Sequence, residues 1–300
     1  MRSPLYSVAL ICLFTATLFT STAGVLVRWI EQADGWTVLF WRAAFFALTL
    51  GVWLVGRYRG GIVQATLRTG WPGVLMATAF ALATITFIFA LLETTVAKVT
   101  LISGCIPFVT ALLAWLMLGE RVARSTVIFM VVAFAGIAWM VGSEIGDGGL
   151  AGDLLAASCS FMTAWMYIAL RQRKQVDLVP AIMAGGLLVA VVALPLGDVW
   201  SIGWHDLMVC ALLGVLQLGV QYILVAFGTR HVPAAEAALT ARMTIILAPL
   251  WAYLGFHEVP SEATFYGGAL VLIAIFGNGL WSMTRSRAPA AVSTAEEPAA

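Results

Sequence analysis

The segment ALLAWLMLGE, from Ala111 to Glu120, occurs again in altered form as PLWAYLGFHE, from Pro249 to Glu258. Each copy places a run of apolar residues before a glutamate. The two glutamates are 138 residues apart (258 − 120), which is close to half of the 300-residue chain. A repeat at this spacing predicts that the two halves of the chain share one fold.

The composition places both halves in a membrane. Hydrophobic residues make up 62% of the chain and charged residues 10%, whereas soluble domains are about 45–50% apolar and about 25% charged. A globule of this size cannot bury so many apolar residues behind a charged surface. The net charge of +1 offers no basic surface for a nucleic acid. We therefore predict an all-α integral membrane protein whose partner is the lipid bilayer.

Ten apolar runs are candidates for membrane helices, because crossing about 30 Å of hydrocarbon takes about 20 apolar residues. We predict two five-helix repeats, at 7–142 and 150–283, followed by a disordered cytoplasmic tail at 285–300 that is rich in Ala, Pro, Ser and Glu. The ten runs, called the first to the tenth span, are Ser7–Val27, Trp36–Gly56, Trp71–Leu91, Thr95–Leu118, Thr126–Gly142, Leu150–Leu170, Val179–Leu196, Leu207–Phe227, Ala234–Gly255 and Thr264–Met283.

A cleavable signal peptide is an alternative for the start of the chain, because Arg2 precedes an apolar stretch that reaches Ser21-Thr22-Ala23. The apolar run continues beyond that point to Val27, and a single positive residue precedes it. An uncleaved first span is therefore favoured.

Loops rich in positive residues alternate with loops that have few or none along the ten spans. Of the sixteen Lys and Arg residues, twelve fall on one side, Arg28 and Lys98 on the other, and Arg42 and Arg242 within spans. Since cytoplasmic loops carry an excess of Lys and Arg, we predict a multi-pass protein of the inner or plasma membrane with both termini cytoplasmic. The twelve cations of the predicted cytoplasmic side are Arg2, Arg57, Arg59, Arg68, Arg121, Arg124, Arg171, Arg173, Lys174, Arg230, Arg285 and Arg287.

The odd number of spans in each half inverts the second half relative to the first. Glu120 is therefore expected at the cytoplasmic end of the fourth span, and Glu258 at the external end of the ninth. Inverted repeats that meet at a central site are typical of secondary transporters.

Several motifs, taken in order, carry a resemblance to a known family. They are Phe40-Trp41-Arg42, Pro107 with Leu118-Gly119-Glu120, Gly152-Asp153-Leu154-Leu155, Pro233 to Leu239 (PAAEAAL), Leu247-Ala248-Pro249-Leu250-Trp251 and Gly267-Gly268-Ala269-Leu270. Their order and spacing resemble the EamA family of the drug/metabolite transporter superfamily, over everything but the tail. The resemblance implies ten helices in two inverted five-helix repeats and transport of small metabolites. The halves differ where His257 replaces Gly119, and Pro249 lies nine residues before its glutamate against thirteen for Pro107.

Two arginines lie within predicted spans, where an ionisable group is by default a candidate functional residue. Arg42 lies about 9 Å deep at 1.5 Å per residue. It contacts the substrate, or else it snorkels outward or pairs with Glu31 or Asp34. Arg242 lies deeper, in the ninth span. We expect it to contact the substrate or a gate, with a buried structural pair to an acid such as Glu236 or Glu93 as the alternative.

The face of the ninth span that carries Arg242 has a polar counterpart in the fourth span. Ala238, Ile245 and Pro249 share the face of Arg242. Two equivalent faces of this kind are expected to line one central cavity. At the 138-residue spacing, this face corresponds to the face of the fourth span that carries the polar stripe Thr100, Ser103, Pro107 and Thr110.

Lys98 and Glu236 occupy equivalent positions near the starts of the same two spans. Glu236, Thr240 and Thr244 form a second stripe, turned away from Arg242. Either local unwinding at Pro249 brings both stripes to the cavity, or one stripe faces a neighbouring helix.

The remaining candidates are less specific. Gly214, Gln217 and Gln221 share one face of the eighth span, with Tyr222 adjacent. Buried amides need hydrogen-bond partners, which a substrate or another helix can supply. Trp165 either packs between helices or stacks on an aromatic ligand.

Nothing in the sequence indicates a cofactor or a metal. The cysteines Cys12, Cys105, Cys159 and Cys210 all lie in apolar runs without CxxC or Cys/His ligand spacing, so they are interpreted as buried thiols. There is also no P-loop that would indicate ATP coupling.

These features together predict a secondary transporter that moves a small molecule by alternating access. Arginines within the membrane suit amino acids or related carboxylates, because guanidinium binds carboxylates bidentately, and export is the expected direction. The alternatives are a membrane scaffold or receptor that does not transport, and an intramembrane enzyme. The enzyme is disfavoured because the three histidines lie at or near span ends and no GxSxG or HExxH occurs. A monomer and a homodimer are both compatible with the sequence.

Overall fold

The ten predicted spans are helices in the structure, a computed structural model that describes residues 4–59, 61–143, 149–172 and 179–286. These described ranges contain helices and no strands. Eight helical segments there are long and apolar enough to cross a membrane, and Val179–Ala193 is a shorter apolar helix. Leu150–Gln172 forms the sixth span. The prediction of an all-α membrane protein is confirmed.

Several spans consist of consecutive helices. The first, fourth and ninth spans have two helices each, the eighth has three, and a short helix, Ile62–Arg68, joins the second to the third. The helices are Pro4–Ser21, Ala23–Arg28, Gly35–Tyr58, Ile62–Arg68, Gly70–Glu93, Val96–Gly104, Ile106–Leu118, Arg124–Gly142, Leu150–Gln172, Val179–Ala193, Trp204–Ala211, Leu212–Val220, Gln221–His231, Ala234–Arg242, Thr244–Phe256 and Glu262–Ser286.

Two boundaries differ from the prediction in an informative way. The seventh span ends at Ala193 and not at Leu196, because the residue before Pro195 is disfavoured in a helix. The tenth span continues to Ser286, so the first two residues of the predicted tail are helical. The other tail residues, 287–300, lie outside the described residues.

The fourth and ninth spans are broken at equivalent residues. Cys105 separates Val96–Gly104 from Ile106–Leu118, and Met243 separates Ala234–Arg242 from Thr244–Phe256. Both breaks are tight turns, in which each residue's N–H donates to the carbonyl three residues earlier at 3.1 Å. Unwinding at Pro249 was considered from the sequence, but Pro249 lies inside a helix. The breaks therefore follow the repeat and not the prolines.

The repeated segment ends both spans in the same way. Gly119 has φ 67° and His257 has φ 51°, so both adopt the left-handed conformation that terminates a helix. The next residue folds back in each copy: the N–H of Glu120 donates to the carbonyl of Ala114 at 3.3 Å, and that of Glu258 to Ala252 at 3.4 Å. The replacement of glycine by histidine therefore leaves the turn unchanged.

The two halves pack through glycines. A Cβ added at Gly136 in the fifth span would lie 2.6 Å from the carbonyl oxygen of Gly267 in the tenth, and one at Gly267 would lie 2.5 Å from that of Gly136. A Cβ at Gly214 in the eighth span would lie 2.5 Å from the carbonyl oxygen of Arg42 in the second. Small residues allow this backbone approach where lipid provides no hydrophobic drive for association.

Candidate functional site

A cavity of about 540 Å³ lies between spans of both halves, at the end of the fourth span that carries Glu120. Pro107 and Thr110 of the fourth span and Ala238 and Arg242 of the ninth line its wall. The two faces that the repeat predicted to be equivalent therefore meet at one cavity. The wall also includes Tyr167 of the sixth span, Thr126 of the fifth and the loop at 120–123.

Arg242 reaches the cavity from a partly buried position beside the tenth span. Its Nη1 donates to the carbonyl oxygen of Ile275 at 3.3 Å. A Cβ added at Gly279 would lie 2.6 Å from the same nitrogen, so this glycine leaves room for the guanidinium. The tenth-span backbone thus orients Arg242 while its charge remains available to the cavity.

The second polar stripe of the ninth span faces the first span. The Tyr6 hydroxyl donates to the Glu236 carboxylate, and the Thr17 hydroxyl donates to the Thr240 carbonyl at 3.3 Å. The structure therefore has one stripe on the cavity and the other on a neighbouring helix, which was the second of the two alternatives.

Thr100 and Ser103 lie outside the cavity wall, although they share the fourth-span face with Pro107. The Thr100 hydroxyl donates to its own helix, at 2.9 Å from the carbonyl of Val96. The Ser103 hydroxyl oxygen is buried and has no hydrogen-bond partner in the part of the chain that the structure describes. Of the predicted stripe, only Pro107 and Thr110, which follow the break at Cys105, line the cavity.

Arg42 is buried between the second and eighth spans, with 2% of the residue exposed. Its Nη2 donates to Oε1 of Gln217 at 3.0 Å, and its Cζ lies 6.0 Å from the centre of the Phe87 ring. The snorkelling alternative, with its partners Glu31 or Asp34, does not describe this position. Arg42 points into the protein.

Gln217 lies on a π-helix, Leu212–Val220, in the middle of the eighth span. Short π-helical stretches are rare and frequently occur at functional sites. Gln221 begins the α-helix that follows, and the Tyr222 ring lies 5.9 Å from Phe46 and 6.1 Å from Phe80. The sequence indicated this polar face but gave no sign of the π-helix.

Lys98 forms a buried ion pair that connects the halves. Its Nζ lies 3.3 Å from Oδ2 of Asp153 in the sixth span, and each side chain is 2% exposed. Oδ1 of Asp153 accepts a hydrogen bond from Thr94 at 3.1 Å. The sequence placed Lys98 on the external side of the spans and missed Asp153 as its partner. The one sequence feature that could have indicated this pair is Asp153 itself, an acid in the first turn of an apolar helix.

Glu258 joins the end of the ninth span to the start of the fourth. Its Oε1 accepts a hydrogen bond from the N–H of Val96 at 2.6 Å, and its Oε2 lies 3.2 Å from Nε of Arg28. Arg28 also donates from Nη2 to the carbonyl of Thr94 at 2.8 Å. A carboxylate at a helix N-terminus stabilises the unpaired N–H groups there.

Asp206 reinforces the same end of the molecule. Its carboxylate accepts hydrogen bonds of 3.0, 3.0 and 2.8 Å from the N–H groups of Glu31, Gln32 and Ala33. These residues form the loop that follows Arg28. Carboxylates thus close the end of the protein opposite the cavity.

Trp165 packs between helices. Its ring lies 6.3 Å from that of Phe161, and it contacts the buried cluster that contains Leu113 and Ile168. In the described residues, no group of three His, Cys, Asp or Glu side chains could hold a metal ion.

Comparison with known proteins identifies the family. Residues 7–142 and 150–280 each match the profile of the EamA-like transporter family. The chain belongs to this family. The predicted resemblance is therefore confirmed, and the protein is a multi-pass membrane protein of a transporter family.

One protein similar to this chain is an exporter. The chain is 29% identical over 280 residues to the pseudopaline exporter CntI of Pseudomonas aeruginosa, covering 86% of this chain and 92% of that protein. It is 26% identical over 282 residues to human solute carrier family 35 member G1, covering 87% and 75%. A protein of known crystal structure shares its fold with a TM-score of 0.64 at 19% identity, covering 96% of this chain and all of the other.

Proposed function

We propose that this EamA-like protein is a secondary transporter that exports small carboxylates or zwitterions, such as amino acids, by alternating access. The observation that carries the proposal is the cavity between the two broken spans, with the Arg242 guanidinium in its wall. A guanidinium binds carboxylates bidentately and stays charged. Export is favoured by the relative that is an exporter.

The closed and open ends support alternating access. Glu258 and Asp206 hold one end together, while the cavity reaches the loop at 120–123 at the other end. In the proposed orientation, with both termini cytoplasmic, the loop with Glu120 faces the cytoplasm. This is the state in which an exporter loads its substrate. The cavity is formed by one chain, so a monomer is sufficient for the proposed transport.

Flux measured with the purified protein in liposomes tests the proposal. The liposomes are loaded with radiolabelled alanine, glutamate or succinate, and a cationic amine serves as the comparison. We expect efflux of at least one carboxylate and none of the amine. Efflux of the amine alone, or of nothing, contradicts the proposal, and the latter result would favour a scaffold or receptor.

A further inference from the structure

The Arg42 guanidinium has more donors than its surroundings satisfy. Guanidinium carries five N–H groups, and Gln217 accepts a bond from Nη2. Nε and Nη1 are buried and have no hydrogen-bond partner among the described residues. Three of the five N–H groups, one on Nε and two on Nη1, are therefore left without an acceptor.

In the part of the chain that the structure describes, no charged acid compensates the charge of Arg42. The titratable side chains there that interact with the guanidinium are the thiols of Cys159 and Cys210 and the phenol of Tyr222, which are neutral at physiological pH. Removing one partner of a buried pair leaves a costly uncompensated charge, and Arg42 is already in that situation. A buried cation with unused donors needs an anion with acceptor atoms.

The aromatic side chains connect Arg42 to the cavity. Tyr222, near Arg42, is also near Tyr167, and Tyr167 lines the cavity that contains Arg242. Two phenols therefore link the surroundings of Arg42 to the wall of that cavity.

We propose that Arg42, held by Gln217, binds the carboxylate of the transported substrate. This inference rests on the proposed function and adds Arg42 to Arg242 as a second residue that holds the substrate's negative charge during transport. One carboxylate carries the single charge that neutralises one guanidinium, and its two oxygens match guanidinium N–H groups. A doubly charged phosphate would leave an excess charge in an apolar surrounding, which is costly.

Thermal unfolding of the purified full-length protein in detergent tests the site. The probes are acetate, L-alanine and L-glutamate, with acetamide, inorganic phosphate and sodium chloride at matched ionic strength as comparisons. We expect at least one carboxylate to raise the unfolding temperature, since a ligand that binds only the native state stabilises it. Acetamide and chloride should give no such shift.

Two variants and a control separate binding from folding. Arg42→Gln should weaken the apparent affinity for the carboxylate about tenfold or more, which corresponds to the loss of a charge-assisted hydrogen bond. Gln217→Glu supplies an internal carboxylate, so it should raise the unfolding temperature without ligand and abolish the carboxylate shift. Arg57→Gln removes an arginine from the last turn of the second span and should bind like the unchanged protein.

Two results would contradict the proposal that Arg42 binds the carboxylate. A carboxylate shift that persists in both variants, or a shift with phosphate and with no carboxylate, contradicts it. Liposome flux separates this inference from the proposed function. Carboxylate efflux that Arg42→Gln leaves unchanged refutes the site alone, whereas Arg42-dependent binding without any efflux refutes the transport proposal alone.

Discussion

Gly104 and Arg242 occupy equivalent positions, each directly before the residue at which its span is broken. At Gly104 an added Cβ would crowd two side chains, at 2.8 Å from Cδ1 of Ile275 and 2.9 Å from Cδ1 of Ile245. The arginine copy extends to the cavity instead. The two breaks have the same backbone turn, but only the break in the ninth span is preceded by a charged residue. The candidate site is therefore asymmetric, although the two repeats are similar in fold.

Arg242→Gln should reduce carboxylate efflux about tenfold or more while changing stability little. The change removes the positive charge from the cavity wall, and a charge-assisted hydrogen bond contributes about 1.5–3 kcal/mol. Initial rates in liposomes measure the effect. Arg68→Gln, at an exposed arginine of the short helix after the second span, is the matched control. Equal efflux from both variants would exclude a binding role for Arg242.

Glu258→Gln should lower the free energy of unfolding by about 1–3 kcal/mol, because its carboxylate both pairs with Arg28 and accepts from the N–H of Val96. Chemical unfolding in detergent measures the loss. Glu93→Gln, at an exposed glutamate that ends the third span, should change stability by a few tenths of a kcal/mol. A loss no greater than that of the control would show that Glu258 does not hold this end together.

Asp153→Asn should destabilise the protein by about 3–5 kcal/mol, because it removes the carboxylate that lies 3.3 Å from the buried Lys98 ammonium. The double substitution Lys98→Met with Asp153→Leu should recover most of this loss, since apolar residues can replace a buried pair. Unfolding free energies of Lys98→Met, of Asp153→Leu and of their combination form the double-mutant cycle that measures this pair. A double variant as unstable as Asp153→Asn would mean that the charges do not act as a pair.

Gly136→Ala should cost about 1–3 kcal/mol through overpacking, because its Cβ would lie 2.6 Å from the Gly267 carbonyl oxygen. Gly56→Ala is a control with open space, as no atom lies within 4 Å of an added Cβ. It should be neutral or stabilise by up to about 1 kcal/mol, as alanine favours helices. The unfolding temperatures of the two variants should therefore shift in opposite directions or only the first should fall.

Asp34 should make stability fall at low pH. Burial alone would raise its pKa, but hydrogen bonds from the side chain and N–H of Thr37 and from the N–H of Trp36 hold the pKa below its ordinary value. Its contribution is therefore complete above the unfolded-state pKa, about 3.9, and is lost as the pH falls through the lower folded-state value.

Asp34→Asn keeps a cap on the second span but cannot titrate, so it should remove part of this acid dependence. Asp34→Ala should cost about 0.5–2 kcal/mol near neutral pH. Unfolding curves recorded from pH 2 to about 6 test both statements. An Asn variant with the same acid dependence as the unchanged protein would assign that dependence to other carboxyl groups.

The fold could be predicted because lipid imposes long apolar runs, and the meeting of the fourth and ninth spans followed from the spacing of the repeat. The hydrogen-bond and ion-pair partners of the buried polar groups could not be predicted from the sequence. Lys98 pairs with Asp153, 55 residues away, and Arg42 contacts Gln217, 175 residues away. Such pairs depend on which helices are neighbours, and neither periodicity nor the repeat specifies that.

The π-helix Leu212–Val220 gives the eighth span an internal adjustment. Its hydrogen bonds join residues five apart and not four, so it turns less per residue than the α-helices on either side. Converting one of its turns to α-helix would rotate Tyr222 and the rest of the span about its axis and draw Gln217 away from Arg42. A change of helical winding within the eighth span would therefore alter the contact that positions the Arg42 guanidinium.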